Sequence, residues 1–467
     1  MKGRKIEKME GEYLKRNSVN ILTESIFNAL FKLSLPIVVG NIAQTLYGLV
    51  DVYWLGKLGS LELAAVTLSN PIVQMLVNIG MGLSTATSIL ISQAIGRKDE
   101  IQVKSILNHV FILIVVGCGS ILLLVGIFIK PILVLLGATG DIIQLSMHYL
   151  LIVFIGIEIH FVTNIYVALQ NSMGNAKISF YANVIGLFIN LIISPILIVQ
   201  LNLSVVGAGA ASLIARLIPG LLFIPRLFKH TNRFYIQFSN WRLSWKRVKD
   251  ILKIAFPLSL GGATIQLGFM VMGREVIQYG NVAMAAYGIG NRISSLVTIP
   301  SNSIGNALTI IVGQNFGAGY FGRIKKAYRQ AMFFSVAYLL VMGLILAWQP
   351  VTHWVSAIFI QDNATLQLAI DYVRILALYC FANGFYNTTM AVFNGVSKPV
   401  YSVIVDICRI WIFRIISLKL YSLIFGKSIR VVWYSVVFSN GLAATVIVLL
   451  YLMVLQQKFK DSNRVIK

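Results

Sequence analysis

Twelve apolar runs of membrane-spanning length divide this chain, at 33–55, 66–93, 107–128, 145–170, 178–199, 206–225, 252–277, 283–313, 328–348, 366–393, 400–424 and 432–455. A helix needs about 20 apolar residues to cross the hydrocarbon core of a bilayer. In that core each backbone N–H and C=O must be satisfied internally, so the runs predict helices. With 57% hydrophobic and 12% charged residues and a mean hydropathy of +0.81, the chain has more apolar side chain than a soluble core could hide. The opening 20 residues are polar and basic, without the short apolar run of a cleavable signal peptide.

A net charge of +23 would suit nucleic acid, but its distribution argues otherwise. Basic residues crowd the N-terminal tail (Lys2, Arg4, Lys5, Lys8, Lys15, Arg16) and the segment after the second span (Arg97, Lys98, Lys104). They recur between spans six and seven (Arg226, Lys229, Arg233, Arg242, Lys246, Arg247, Lys249) and after the eighth (Arg323, Lys325, Lys326, Arg329). The alternate loops hold few: Lys57, Lys130, Lys419, Lys427 and Arg430. Positive charge on cytoplasmic loops predicts that both termini are cytoplasmic, and no nucleic-acid partner is expected. Cys118, Cys380 and Cys408 lie in apolar spans without paired spacing, and the five histidines show no ligand spacing. Neither a disulfide nor a metal centre is expected.

The chain repeats itself. A shift of 221 residues places Lys32 on Lys253, Pro36 on Pro257, Gly40 on Gly261 and Gly59 on Gly280. A shift of 223 then matches Tyr149 with Tyr372, Ala168 with Ala391 and Asn171 with Asn394. Six spans per repeat is an even number, so both halves have one orientation. The fold class predicted is therefore all-α, with two six-helix lobes related by a pseudo-twofold along the membrane normal. The expected division is a first lobe at 1–225, a cytoplasmic linker at 226–250 and a second lobe at 251–467. Trp241 and Trp245 among basic residues predict a short interfacial helix in the linker.

Five acids fall inside spans: Asp51, Glu158, Glu275, Asp371 and Asp406. Such groups are costly in hydrocarbon and are functional candidates, or members of ion pairs within the bundle. Asp406 has Arg409 three residues on, a ready partner on the same helix face. Glu158 has only His160 nearby in sequence, and both readings stay open. At Asp51 the repeat discriminates, because its equivalent is Met272. Asn183, Asn190 and Ser194 share a face of span five, spaced by 7 and 4. By depth, Asp51, Asn190, Ser194 and Ser212 meet in the outer half of the first lobe. Interhelical hydrogen bonding would account for the neutral members alone. With an acid beside them they favour a cation site, since hard cations take oxygen ligands. "FGKS" at 425–428 lacks the earlier glycine of a phosphate-binding loop, with Tyr421 in its place, so an ATP-driven pump is disfavoured.

The stretches "KLSLPIVVGNIAQTLYGLVDVYWLG", "LAAVTLSNP" and "AAYGIGNRISSLVTIPSNSIGNALTIIVGQNFGAG" resemble the multidrug and toxic compound extrusion (MATE) family, in its DinF-like branch. The resemblance covers about residues 25 to 455. It implies twelve helices in two lobes around a central cavity, exporting organic compounds against an inward flow of protons or sodium ions. It also implies a coupling site at Asp51 and Asn190, with Ser212 in place of a threonine and Ser194 in place of a second acid. Gln44 and Tyr47 match the cavity-facing pattern of helix 1, and Asn183, Glu158 and Gln266 are expected to join them.

The function expected is a secondary antiporter for cationic, amphipathic compounds, not an enzyme. It would act as a monomer in a prokaryotic inner membrane, among its lipids, with no cofactor beyond the coupling H+ or Na+ and no metal other than sodium at Asp51. The alternative is a flippase for lipid-linked precursors, because Arg274, Arg292, Arg374, Arg409 and Arg414 make the second half rich in cations. Pairing with Glu275, Asp371 and Asp406 would equally account for those arginines.

Overall fold

A computed structural model describes residues 19–238, 242–360 and 362–456, with side chains at all of these except Leu49, Asp51, Val52, Lys57, Leu58 and Ser60. The basic tail before residue 19 and Trp241 lie outside the described residues. The described chain is α-helical, without strands. Its first six long helices are α1 (Ile26–Leu58), α2 (Ser60–Gly96), α3 (Glu100–Ile112, continued at Gly119–Ile127), α4 (Asp141–Ser172), α5 (Lys177–Pro195) and α6 (Ser204–Phe228). The second six are α7 (Trp245–Ile277), α8 (Asn281–Gly317), α9 (Phe321–Ala347), α10 (Asn363–Tyr379 and Ala382–Gly395), α11 (Pro399–Ile407 and Arg414–Phe425) and α12 (Ile429–Tyr451).

Ten of these are long and apolar enough to cross a membrane, and α10 makes eleven when its two parts, bent by 54°, count as one span. The twelfth, α11, is interrupted by a π-helical turn at Cys408–Phe413. Similar turns lie at Leu113–Cys118 in α3 and Ile196–Gln200 at the end of α5. Pro36 and Pro257 sit inside α1 and α7 at equivalent positions. In lipid, neighbouring groups can satisfy the carbonyls that such prolines free.

The chain divides into two compact units, Met1–Glu24 with Leu35–Gly262 and Ser25–Ser34 with Ala263–Lys467. One boundary falls inside α1, between Ser34 and Leu35, and another inside α7, between Gly262 and Ala263. On its first-unit side Ser259 donates to the carbonyl of Ile79 at 2.9 Å. Lipid tails are as apolar as leucine, so close packing and interhelical hydrogen bonds must hold each bundle together. In the first unit Ser146 donates to Ala65 at 3.0 Å and Ser172 to Ser88 at 3.1 Å. A Cβ at Gly80 would overlap the ring of Phe161, so only glycine lets α2 approach α4 there. In the second unit the hydroxyls of Ser301 and Ser335 pair at 2.7 Å, and those of Tyr328 and Thr389 at 2.8 Å.

Within the expected linker, Trp241 lies outside the described residues, and the basic stretch Trp245–Asp250 is helical as the first turns of α7. Residues 229–238 and 242–244 lie outside helices. Partners on α3 hold this non-helical part. Asn108 donates to the Gln237 carbonyl at 2.6 Å and accepts from its amide at 3.2 Å. The amide of Ser244 donates to His109 Nε2 at 3.0 Å, and Arg233 pairs with Glu100 at 2.8 Å. These bonds join two of the basic segments at one end of the first unit. Outside the spans, Asp362 caps α10, accepting from the Thr365 amide at 2.9 Å and its hydroxyl at 2.7 Å. Those bonds hold its carboxyl below the usual carboxylate range.

Candidate functional site

Within the first unit, α1, α2, α4, α5 and α6 enclose a cavity of about 260 Å3. Its wall carries Gln44 and Tyr47 from α1, Asn70 and Gln74 from α2, His160 and Asn164 from α4, Asn183 from α5, and Ser212 and Arg216 from α6. Helical spacing explains the gathering. Gln44, Tyr47 and Gly48 form one stripe of α1, while Asn183 and Gly186 form one stripe of α5. The Tyr47 hydroxyl donates to the main-chain carbonyl of Ser212 at 3.1 Å, which fixes α1 against α6.

Four of the residues expected at the site therefore share this wall: Gln44, Tyr47, Asn183 and Ser212. Position 51 follows 47 and 48 by one further turn of α1. The Asp51 side chain itself lies outside the described residues. Asn190 and Ser194 continue the α5 stripe one and two turns beyond Gly186 and are fully buried. Glu158 is not on the cavity wall. Its two carboxylate oxygens are buried without a hydrogen-bond partner among the described residues, beside Gly119 of α3. Gln266 lies in the second unit, next to Ile265, which lines a different cavity.

That second cavity, of about 360 Å3, lies within the second unit. The two are built from equivalent positions. The shift of 221 carries Gln44, Gly48, Val66 and Asn70 onto Ile265, Phe269, Tyr287 and Asn291, all on the second wall. The shift of 223 carries Tyr149, His160, Asn164, Asn183 and Gly186 onto Tyr372, Asn383, Asn387, Asp406 and Arg409, again all on that wall. The chemistry differs although the geometry repeats. Met272, equivalent to Asp51, is 1% exposed and packs in an apolar core with Val276 and Tyr287.

A family comparison finds the same duplication. The MatE family model matches residues 36–196 and again 257–418, the two matches starting 221 residues apart (257 − 36). The chain belongs to the MatE family. A relative of this MatE chain is the "Probable multidrug resistance protein YoeA" of Bacillus subtilis (strain 168), 26% identical over 405 residues, covering 83% of this chain and 85% of that one. Another is the "Multidrug export protein MepA" of Staphylococcus aureus (strain N315), 26% identical over 363 residues, covering 77% and 79%. Among solved structures, one described as the outward-facing conformation of a multidrug resistance MATE family transporter of the MOP superfamily superposes with a TM-score of 0.89. It is 25% identical and covers 96% of this chain and 99% of that one. The MatE chain is thus a multi-pass membrane transporter of twelve helices in two six-helix halves, and not an enzyme.

Sequence reasoning passed over Asn70, Asn164 and Arg216 on the first wall. The two asparagines carried a readable signal, since the repeat registers pair them with Asn291 and Asn387, amides kept in otherwise apolar spans. Arg216 has no such mark. Its Nη1 is buried without a hydrogen-bond partner among the described residues.

Proposed function

We propose that this MatE chain is a secondary antiporter that exports cationic, amphipathic organic compounds in exchange for protons or sodium ions. The observation that carries the reading is the polar cavity of the first half, whose α1 stripe of Gln44, Tyr47 and Gly48 leads to position 51. Asp51 is the coupling carboxylate. In the second half the same register holds a core methionine, so the fold itself does not require an acid there. Asn190, Ser194 and Ser212 supply neutral oxygens at successive turns of α5 and on α6, a donor set that suits either a proton on Asp51 or a sodium ion. Neutralising Asp51 lets α1, α5 and α6 repack, and the two halves rock between inward-open and outward-open states. The names of the relatives support multidrug export as the transport class. The bacterial relatives support a prokaryotic inner membrane location, and the basic loops support both termini in the cytoplasm.

Transport of a fluorescent organic cation into inside-out vesicles, with pH and sodium gradients imposed one at a time, tests the reading. Uptake driven by one of the two gradients is expected. Uptake indifferent to both, with ATP required instead, would overturn it.

A further inference from the structure

The second cavity carries more cationic than anionic side chains on its wall. Two guanidinium groups, those of Arg409 and Arg414, line it against one carboxylate, that of Asp406. The π turn at Cys408–Phe413 brings the arginines together. In an α-helix, residues five apart point about 140° away from each other. Here the amide of Arg414 bonds to the carbonyl of Arg409, five residues back, so the wider turn brings both residues to the cavity side of the helix.

The two cations have different partners. Arg409 Nη2 bonds to Asp406 Oδ1 at 2.7 Å, and its guanidinium lies 4.9 Å from the centre of the Tyr386 ring. Its Nε is buried without a hydrogen-bond partner among the described residues. Arg414 is 5% exposed and bonds only neutral oxygens: Ser439 Oγ from Nε and Asn440 Oδ1 from Nη2, each at 3.1 Å. Among the described residues no carboxylate pairs with it. A buried cation without a counter-ion is expensive unless a ligand supplies one. The remaining wall offers amides at Asn291, Asn387 and Asn440 and the aromatic faces of Phe269, Tyr287 and Tyr372.

From this arrangement we infer that the second-half cavity binds an oxyanion, a carboxylate or phosphate, held by Arg414 and Arg409, with room for an attached ring. Guanidinium is suited to such groups because its donors match two oxygens at once. The first-half equivalents of Asp406 and Arg409 are Asn183 and Gly186, so the site belongs to one half only. The inference goes beyond cation-coupled export: anion binding at equilibrium needs neither a gradient nor a working Asp51. Its failure and the failure of the antiport reading are therefore separate results.

The test is equilibrium binding of radiolabelled salicylate to the purified full chain in phosphatidylcholine nanodiscs, with competition by inorganic phosphate and by added phosphatidylglycerol. Saturable salicylate binding is expected. Arg414→Gln should weaken it about tenfold or more, the scale of one charge-assisted hydrogen bond. Arg414→Gln also removes bonds to Ser439 and Asn440, so a second variant guards against misfolding. Asn291→Asp is isosteric, can still accept the 3.1 Å bond from the Tyr372 hydroxyl, and adds a negative charge to the wall. It should weaken binding comparably in protein that remains monodisperse. Competition by phosphatidylglycerol would support a lipid headgroup as the anion, and competition by inorganic phosphate a soluble one. Wild-type affinity in Asn291→Asp, or no saturable salicylate binding, would overturn the inference.

Discussion

The phenol of Tyr47 on α1 and the main-chain carbonyl of Ser212 on α6 meet at 3.1 Å across the first-half cavity. The bond lies one helical turn from Asp51, so it links the proposed coupling position to a helix that, on the proposed mechanism, repacks when the acid changes charge. Tyr47→Phe removes the donor and keeps the ring. The lost bond is worth about 1 kcal/mol. Export measured in vesicles should slow several-fold, while thermal unfolding in detergent moves little.

Asp406 and Arg409 form a partly exposed-to-cavity pair with side chains 11% and 16% accessible. Asp406→Asn leaves the guanidinium without its counter-ion, at a cost of about 3 kcal/mol. The apparent unfolding temperature should fall clearly. Asp406→Asn combined with Arg409→Gln should recover most of it, because the stranded charge is gone. A double variant no more stable than the single one would contradict this.

Gly290 on α8 leaves no room for a side chain, since a Cβ there would overlap the ring of Tyr372 on α10. Gly290→Val should lower the unfolding temperature and the yield of folded protein. Gly288→Val, two residues away where a Cβ meets nothing within 4 Å, serves as the control and should be tolerated.

Both basic ends of the linker and the α2–α3 turn should face the cytoplasm. With Cys118, Cys380 and Cys408 replaced by serine, Lys246→Cys offers an exposed thiol at the start of α7. A membrane-impermeant maleimide should label it only after cells are opened. Labelling in intact cells would reverse the topology.

Much of this was legible in residue order because helical spacing and the repeat register are both one-dimensional. The i, i+3 spacing of Asp406 and Arg409 predicted a pair, and the structure forms it at 2.7 Å. The apolar runs located the spans, although the helices outrun them: α1 covers Ile26–Leu58 where the run marks 33–55. The extra turns, Ile26–Lys32, are themselves mostly apolar, and Asn28 and Lys32 interrupt the apolar run without interrupting the helix. Arg414 was not legible as a neighbour of Arg409. Only the π turn, which leaves no compositional trace in "CRIWIF", brings residues five apart onto one face. The anchors of the linker were not legible either, because the amide of Asn108 and the ring of His109 that hold its backbone lie far away in sequence. The expected pairing of arginines with span acids was also only half right in kind, since Asp371 pairs with Arg430 at 2.8 Å while Arg374 Nε donates to the carbonyl of Ala347.

The most direct measurement replaces Asp51 by asparagine and follows export into inside-out vesicles under an imposed pH gradient and, separately, a sodium gradient. Asp51→Asn holds the position permanently neutral, so substrate should still bind while gradient-driven export stops under both conditions. Met272→Asp, at the equivalent position of the second half, should not restore it. Export by Asp51→Asn at the wild-type rate under either gradient would contradict the account and shift attention to the buried carboxylate of Glu158.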